Sequence, residues 1–139
     1  MKISVKTDYA ARAVLGLARY YQSGLPQRIE TIASENGIPA KYLVQILIEL
    51  KSRNIVKSVR GKEGGYMLAK APSEITLGEI VRAINGEIID IPAITDQSCP
   101  AELQQAWLSV RNKLSEELDR INFQQLLDRE SEKTKMYYI

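Results

Sequence analysis

Side chains that donate hydrogen bonds to phosphate groups and nucleic-acid bases are concentrated between residues 41 and 62. Lys41 and Gln45 lie four positions apart in a segment whose apolar residues recur at three- and four-residue steps. Arg60, with Lys57 and Lys62 nearby, lies next to a glycine-rich run. Ammonium, guanidinium and amide groups bind phosphate oxygens and base edges when a helix or hairpin brings them to a DNA groove. The chemistry predicted for this region is therefore binding of double-stranded DNA.

Two helices joined by a sharp turn are predicted to position the first two donors. Residues 29–33 place apolar side chains at helical spacing, and Asn36-Gly37 ends this helix because both residue types tolerate left-handed backbone. Pro39 suits the first turn of the next helix, where its missing N–H costs no hydrogen bond. That helix has a predicted core face of Tyr42, Leu43, Ile46, Leu47 and Leu50, and an outer face of Lys41, Val44, Gln45, Ile48, Glu49 and Lys51.

A β-hairpin, or wing, is predicted to carry the other three donors. Residues 55–60 alternate apolar and polar side chains as a half-buried strand does, and residues 61–65 form a turn before the return strand. Arg60 is then placed to enter a narrow minor groove, where the negative potential is strongest. A nucleotide-binding loop is disfavoured because the glycines lack Walker spacing and no helix follows them. A solvated surface turn would explain the hairpin alone, but the helix pair before it favours a wing.

Composition limits the class of protein. With 139 residues, 45% of them hydrophobic, the chain can bury one compact core and carry one extended appendage. One cysteine excludes an internal disulfide framework, and the absence of histidine removes the commonest general base and metal ligand. No acid, base or nucleophile cluster is present, so we predict that the protein is not an enzyme. Nothing resembles a signal peptide or a membrane span, and we expect the protein in the cytoplasm.

Charge is divided unequally along the chain. The formal net charge is only +2, which by itself argues weakly against a polyanionic partner. However, residues 1–70 carry 12 Lys and Arg against 5 Asp and Glu, whereas residues 71–139 carry 7 against 12. The basic half contains the helix pair and the hairpin, as counterion release from a phosphate backbone favours. The acidic half is expected to face away from DNA.

A further helix is predicted before this region. It runs from about Tyr9 to Tyr21, with Thr7 or Asp8 as its cap. Its predicted buried positions are Ala10, Ala13, Val14, Leu17, Ala18 and Tyr21.

After the hairpin, residues 77–84 form a short amphipathic helix with Thr76 as N-cap and Asn85-Gly86 as its stop. Residues 88–100 show no regular period and are predicted to form an ordered or mobile loop.

An apolar stripe marks a long helix that begins near Pro100. Its residues alternate between steps of four and three, over about five turns. They are Leu103, Trp107, Val110, Leu114, Leu118 and Ile121. The stripe can pack on its own domain or on a partner helix, and the charged remaining face fits either arrangement. We expect a symmetric homodimer, because a helix-turn-helix normally binds two half-sites through a twofold axis.

Three segments together resemble the Rrf-type winged helix-turn-helix transcriptional regulators, a family that includes CymR, IscR and NsrR. They are Met1-Lys2-Ile3-Ser4-x-Lys6-x-x-Tyr9-Ala10, Tyr42-Leu43-x-Gln45-Ile46, and Val59-Arg60-Gly61-x-x-Gly64-Gly65-Tyr66-x-Leu68. The resemblance implies a dimeric regulator, here expected to be a repressor that binds a pseudo-palindromic operator. By position it places Lys41, Tyr42 and Gln45 at the DNA surface and Arg60 in the minor groove. Val44 stands where IscR has a glutamate involved in sequence discrimination, so the resemblance does not give the operator preference.

The expected fold is mainly α with a small β wing: a winged helix-turn-helix domain plus a long C-terminal dimerisation helix. We assign residues 1–86 to the DNA-binding domain and residues 87–100 to a sensor-type loop. Residues 101–139 are assigned to the dimerisation helix and the tail.

The sensing chemistry of the family is where this sequence departs from the resemblance. Iron-sulfur members carry three cysteines in the loop before the long helix, because thiolates hold the cluster iron. Here only Cys99 remains, and Asp8 occupies a position resembling that of the NsrR carboxylate ligand. One thiolate and one carboxylate are too few for a conventional cluster, so no cofactor or metal is expected. Cys99 is either a redox sensor, its thiolate stabilised by the helix dipole, or an unreactive loop thiol.

The last residues suggest a protein partner. After a polar segment at 128–135 that is expected to fray, the sequence ends in Met136-Tyr137-Tyr138-Ile139. Such large apolar residues either pack on the protein's own core or enter a partner's pocket. They resemble the tail of CymR, which is similar to the tail that cysteine synthase (O-acetylserine sulfhydrylase) accepts in its active-site cleft. Tyr137, Tyr138 and Ile139 therefore link the expected regulator to cysteine and sulfur metabolism, or to iron-sulfur status. A protein-interaction module with the winged helix as scaffold is the alternative.

Overall fold

The first helix, α1 (Val5–Ala18), is the element on which most of the other helices pack. The structure is a computed structural model that describes residues 3–138. On α1, Ala10, Ala13, Val14 and Leu17 are fully or almost fully buried. Their small or medium size lets neighbouring helices approach closely, and the predicted core face of this helix is confirmed apart from half-buried Tyr21.

The predicted start and end of α1 were wrong. Ser4, not Thr7 or Asp8, is the N-cap, and its Oγ accepts a hydrogen bond from the Thr7 N–H at 3.1 Å. Thr7 is itself buried and its hydroxyl lies 2.8 Å from that of Ser4. Since serine and threonine are both good caps, only the packing of Thr7 into the core decides which one begins the helix. The helix ends at Ala18, and hydrogen-bonded turns follow it.

The next two helices are α2 (Ile29–Asn36) and α3 (Ala40–Ser52). The predicted stop between them is confirmed: Gly37 has φ 64°, and its N–H donates to the Ala33 carbonyl. Pro39 is the N-cap of α3, one position before the predicted first turn. Leu43, Ile46, Leu47 and Leu50 have no exposed surface, so α3 is held against the core along its whole length.

The wing consists of β1 (Val56–Val59) and β2 (Gly65–Leu68), paired antiparallel with Val56 opposite Leu68 and Val59 opposite Gly65. The first strand is shorter than the predicted residues 55–60, because the Ile55 N–H donates to Leu50 at the end of α3. Gln27 extends the sheet by one residue through two 2.8 Å hydrogen bonds with Tyr66. Gly65 is required beside this bridge, since a Cβ there would collide with the Gln27 carbonyl.

After a 3-10 turn at Pro72–Glu74, α4 (Leu77–Asn85) begins at Thr76, whose hydroxyl accepts a 3.1 Å hydrogen bond from the Glu79 N–H. Both the predicted cap and the predicted stop at Asn85-Gly86 are confirmed. The following segment, which the sequence predicts to be an ordered or mobile loop, contains a 3-10 turn at Pro92–Ile94. The side chain of Gln104 donates to the carbonyls of Ala93 and Asp96 at 2.9 and 2.6 Å and ties that segment to the next helix.

Two helices follow, α5 (Ala101–Arg120) and α6 (Phe123–Tyr138). The junction between them pairs with the segment before α4: the Leu77 N–H donates to Ile121 and the Phe123 N–H to Ile75, at 2.9 and 3.0 Å. Phe123 is 1% exposed and belongs to the same core as α1. Residues 123–130 therefore return to the core that contains α1. The domain boundary predicted at residue 101 stays a prediction.

The expectation that residues 128–135 fray was wrong. They belong to α6, where Glu130 accepts hydrogen bonds from both the Nη2 and the Nε of Arg19 on α1, at 2.6 and 3.1 Å. Their polar composition reflects a surface helix that is anchored by one aromatic side chain and one bidentate ion pair. Among residues 3–138, no helix has the length and apolar character needed to cross a membrane.

Candidate DNA-binding surface

The exposed side of α3 carries the donors that the sequence placed there. Lys41 and Gln45 are exposed, and neither is bonded to another described side chain. Tyr42 is 41% exposed, so its assignment to the core face was wrong, whereas its assignment to the surface agrees with its position. It lies one residue, about 100° of helical rotation, from the buried Leu43, which is enough to turn its ring toward solvent.

Aromatic rings and cations form a continuous strip from α1 to α3. The rings of Tyr9 and Tyr42 lie 5.6 Å apart between centroids, and the Lys41 ammonium is 5.1 Å from the Tyr42 centroid. Arg12 lies 5.5 Å from the Tyr9 centroid and forms a 3.0 Å ion pair with Asp8. These contacts hold Lys41 near the first turn of α3 through cation–π attraction. Sequence reasoning missed Arg12, which is three residues after Tyr9, because the two side chains meet only when this segment is helical.

Two branched apolar side chains lie on the same exposed face of α3. Val44 is 48% exposed and Ile48 is 52% exposed, one turn apart. The sequence placed both on the outer face and linked only Val44 to the operator preference. In a major groove, apolar side chains contact the methyl group of thymine, which distinguishes an A·T pair from the others. This face of α3 can therefore bind bases through two donors and two apolar side chains.

Two contacts near the C-terminal end of α3 fix it to its neighbours. The Lys6 ammonium on α1 lies 2.6 Å from the Glu49 carboxylate. Farther along, Lys51 donates to the Ser58 hydroxyl of β1 at 2.8 Å. The second bond couples α3 to the wing, so that the helix and the hairpin form one rigid surface.

The wing projects Lys57, Arg60 and Lys62 into solvent. In the part of the chain that the structure describes, no carboxylate forms an ion pair with any of these three or with Lys41. The turn is rigid for two reasons. A Cβ at Gly64 would collide with the Val59 carbonyl, and the guanidinium of Arg28 donates to the Lys62 carbonyl at 2.6 Å. Four uncompensated cations on a fixed surface are suited to a polyanion.

The apolar stripe of the long helix is only partly covered. Leu103, Trp107 and Val110 are 47%, 40% and 51% exposed, whereas Leu114, Leu118 and Ile121 are half-buried. A groove of about 850 Å³ runs beside the exposed part and is lined by Trp107, Val110 and residues 87–91. The dimerisation role given to this stripe stays a prediction.

The proposed sensor residues lie on separate elements. Cys99 is partly exposed just before α5, with its thiol 3.6 Å from the Pro100 carbonyl. Asp8 lies on α1, where it pairs with Arg12. Within residues 3–138, no group of three or more His, Cys, Asp or Glu side chains is arranged to hold a metal ion. The side chains of Tyr137 and Tyr138, and all of Ile139, lie outside the described residues.

Comparison with known proteins gives a consistent result. Residues 3–129 match the family model Rrf2, described as an iron-dependent transcriptional regulator. The chain is 34% identical to the HTH-type transcriptional regulator CymR of Bacillus subtilis over the full length of both chains. It is also similar to the solved structures of T. potens IscR (30% identity, TM-score 0.80, 99% of this chain and 97% of that one) and of CymR, "the Global Cysteine Regulator of B. subtilis" (28%, 0.81, 93% and 98%). These relatives are regulators, which confirms the prediction that the chain is not an enzyme.

The two exposed apolar side chains give a test of base contact. Replacing one thymine of a bound half-site by deoxyuridine removes only the 5-methyl group. We expect this to weaken binding of the wild-type protein about fourfold at a contacted position, the value of one buried methyl group. Val44→Ala should bind thymine and deoxyuridine equally well at the base position that Val44 contacts, as measured by fluorescence anisotropy.

Met136→Ala is the control, since it shortens an apolar side chain that is 80% exposed on α6. This variant should discriminate thymine from deoxyuridine as the wild type does. Equal discrimination by Val44→Ala at every position would contradict the assignment.

Proposed function

The chain belongs to the Rrf2 family of transcriptional regulators, and from this premise we propose that it is a dimeric repressor that binds a pseudo-palindromic operator. One observation carries the proposal: α3 and the wing form a single rigid surface on which Lys41, Lys57, Arg60 and Lys62 have no carboxylate partner among the described residues. Exposed cations without a carboxylate partner are free to bind the phosphate groups of DNA and to release its counterions.

Each half of the surface is suited to a different groove. The N-terminal turns of α3 enter the major groove, where Lys41 and Gln45 donate to base edges or phosphates and Val44 contacts thymine methyl groups. The wing lies beside the adjacent backbone, where Arg60 enters the minor groove and Lys57 and Lys62 contact phosphates. The three wing cations supply affinity, while α3 supplies sequence discrimination.

A second copy of the chain is proposed to cover the exposed part of the stripe on α5. Leu103, Trp107 and Val110 stand on one side of a helix that lies outside the DNA-binding core. Pairing two such helices about a twofold axis buries these side chains and places two recognition helices about 34 Å apart, the spacing of successive major grooves. Dimerisation therefore determines the spacing of the half-sites.

The signal is proposed to concern cysteine or sulfur supply. The support is the full-length similarity to CymR, which is named a global cysteine regulator. With Cys99 as its one cysteine, the chain is not expected to sense through a conventional iron-sulfur cluster, whose iron needs several thiolates.

Substitution of the wing arginine tests DNA binding directly. We expect Arg60→Ala to lower operator affinity by about tenfold or more and to reduce the slope of log affinity against log salt by about one, since one cation that displaces counterions from the minor groove is lost. Lys133→Ala is the control: it removes one exposed charge from α6, away from the proposed surface. Identical salt slopes for the wild type and both variants would count against the proposed surface.

Placing a charge in the stripe tests the dimer. We expect Leu103→Glu to sediment as a monomer and to bind a two-half-site operator at least about 100-fold more weakly, because the second half-site no longer benefits from a high effective concentration. Its affinity for a single half-site should not change. Gln105→Glu adds the same charge to the opposite side of α5 and should remain dimeric. A dimeric Leu103→Glu protein would show that the stripe is not the interface.

The tail is proposed to bind cysteine synthase through Tyr137, Tyr138 and Ile139. Support comes from the similarity of these residues to the CymR tail and from the exposure of the neighbouring Met136. Deletion of Tyr138 and Ile139 should abolish binding to cysteine synthase in a calorimeter and leave operator binding intact. Met136→Ala, with the last three residues present, should bind the enzyme normally. Undiminished binding after the deletion would refute this partner.

A further inference from the structure

A cavity with three arginines opens where the end of α3, the last turn of α4 and the middle of α5 meet. It has a volume of about 460 Å³, and Arg53, Arg82 and Arg111 line it, one from each of these elements. Ser115 and Glu87 also line it. Three guanidinium groups from three different elements converge here by folding and not by sequence proximity.

The three arginines differ in their partners. Arg82 donates two hydrogen bonds to the Asp119 carboxylate, at 2.7 and 2.8 Å, and is neutralised by it. Arg53 and Arg111 form neither an ion pair nor a side-chain hydrogen bond with any residue between 3 and 138. Glu87 is the one carboxylate that lines the cavity, and it pairs with none of the three within 4.0 Å. The cavity therefore has two guanidinium groups without an ion-pair partner and, with Glu87 included, a positive net charge.

An oxyanion is the ligand that these groups recognise. The planar fork of a guanidinium matches two oxygens of a phosphate or a carboxylate, and two such forks that line one cavity can bind the same anion. A hydroxyl such as that of Ser115 adds a neutral donor. The volume lies in the range of small-molecule sites, so the ligand is a small anion and not a polymer.

The cavity is distinct from the proposed DNA surface. Lys41 lies in the first turn of α3, whereas Arg53 caps its other end, about 18 Å away along the helix axis. Arg82 and Arg111 belong to α4 and α5, which the acidic half of the chain supplies. A ligand here would join the end of the recognition helix to the proposed dimerisation helix.

We propose that this cavity is a binding site for a small oxyanion, a phosphate or a carboxylate, held between Arg53 and Arg111. The Ser115 hydroxyl donates to the anion, and Glu87 weakens its binding by repulsion. This site goes beyond the proposed function and does not depend on it.

The test is titration of the full-length protein with inorganic phosphate and, separately, with succinate, at constant ionic strength adjusted with sodium chloride. Thermal denaturation and calorimetry report binding. At least one of the two anions is expected to raise the melting temperature saturably in the wild type. Arg53→Gln and Arg111→Gln should each weaken this anion's binding about tenfold or more, as loss of a bidentate charged partner requires. Arg129→Gln, which removes an exposed guanidinium from α6, should bind it like the wild type.

Glu87→Gln distinguishes loss of a site from loss of folding. Removing the carboxylate should strengthen anion binding severalfold, a gain that a damaged fold does not produce. A lack of saturable response to both anions in the wild type would overturn the proposal. Equal responses in Arg111→Gln and Arg129→Gln would also overturn it.

A titration with DNA distinguishes a site for small anions from a site for DNA phosphates. With random duplex DNA, Arg111→Gln should keep the affinity and salt dependence of the wild type. A lower affinity with a shallower salt slope would assign these arginines to the DNA backbone and would overturn the small-anion site.

Discussion

Burial of one face of α3 against the core is the constraint on which the rest of the molecule depends. Leu43, Ile46, Leu47 and Leu50 have no exposed surface, and each contributes about 1.5–3 kcal/mol through burial. Because side chains are spaced by about 100° around a helix, fixing these four fixes every other residue of α3 as well. Lys41, Val44, Gln45 and Ile48 must then face solvent together. The recognition surface is in this sense a consequence of core packing, and the wing extends it through the bond between Lys51 and Ser58.

The same core also fixes the position of α5, the long helix that is proposed to form the dimer interface. The end of α5 is held to the segment before α4 by the backbone bonds of Leu77 and Phe123, and its last turn by the ion pair of Arg82 with Asp119. Hydrogen bonds from Arg82 keep the pKa of Asp119 below its ordinary value, so the pair stays charged near neutral pH. The stabilisation that this ion pair gives the folded protein is fully present above the ordinary aspartate pKa. It is lost as the pH falls through the lowered pKa of Asp119. A rigid joint between α4 and α5 lets a dimer transmit one fixed spacing to two recognition helices.

Sequence patterns predicted elements wherever one physical signal dominated. Asn36-Gly37 and Asn85-Gly86 end helices because only a few residue types tolerate the backbone there, and the alternation after residue 55 gave the wing. One error arose where two nearby residues are equally able to cap a helix. Ser4 and Thr7 are both capable caps, and packing of Thr7 into the core decides between them. The helical state of residues 128–135 depends on the packing of Phe123 and on the ion pair between Arg19 and Glu130. These contacts join residues up to 111 positions apart, so no local sequence pattern reveals them.

The unequal division of charge explains why a net charge of +2 is compatible with DNA binding, but it does not explain the arginines of the acidic half. In residues 71–139 the excess of carboxylates would neutralise every cation if all of them paired. Asp119 does pair with Arg82, yet Arg111 stays without a carboxylate among the described residues and shares its cavity with Arg53, which is also unpaired. Mutual repulsion between the two guanidinium groups opposes this arrangement, because like charges that share one cavity raise its electrostatic energy. Glu87 is the one carboxylate that lines this cavity, and it forms no ion pair with Arg53 or Arg111, so the cavity is suited to an anion from solution.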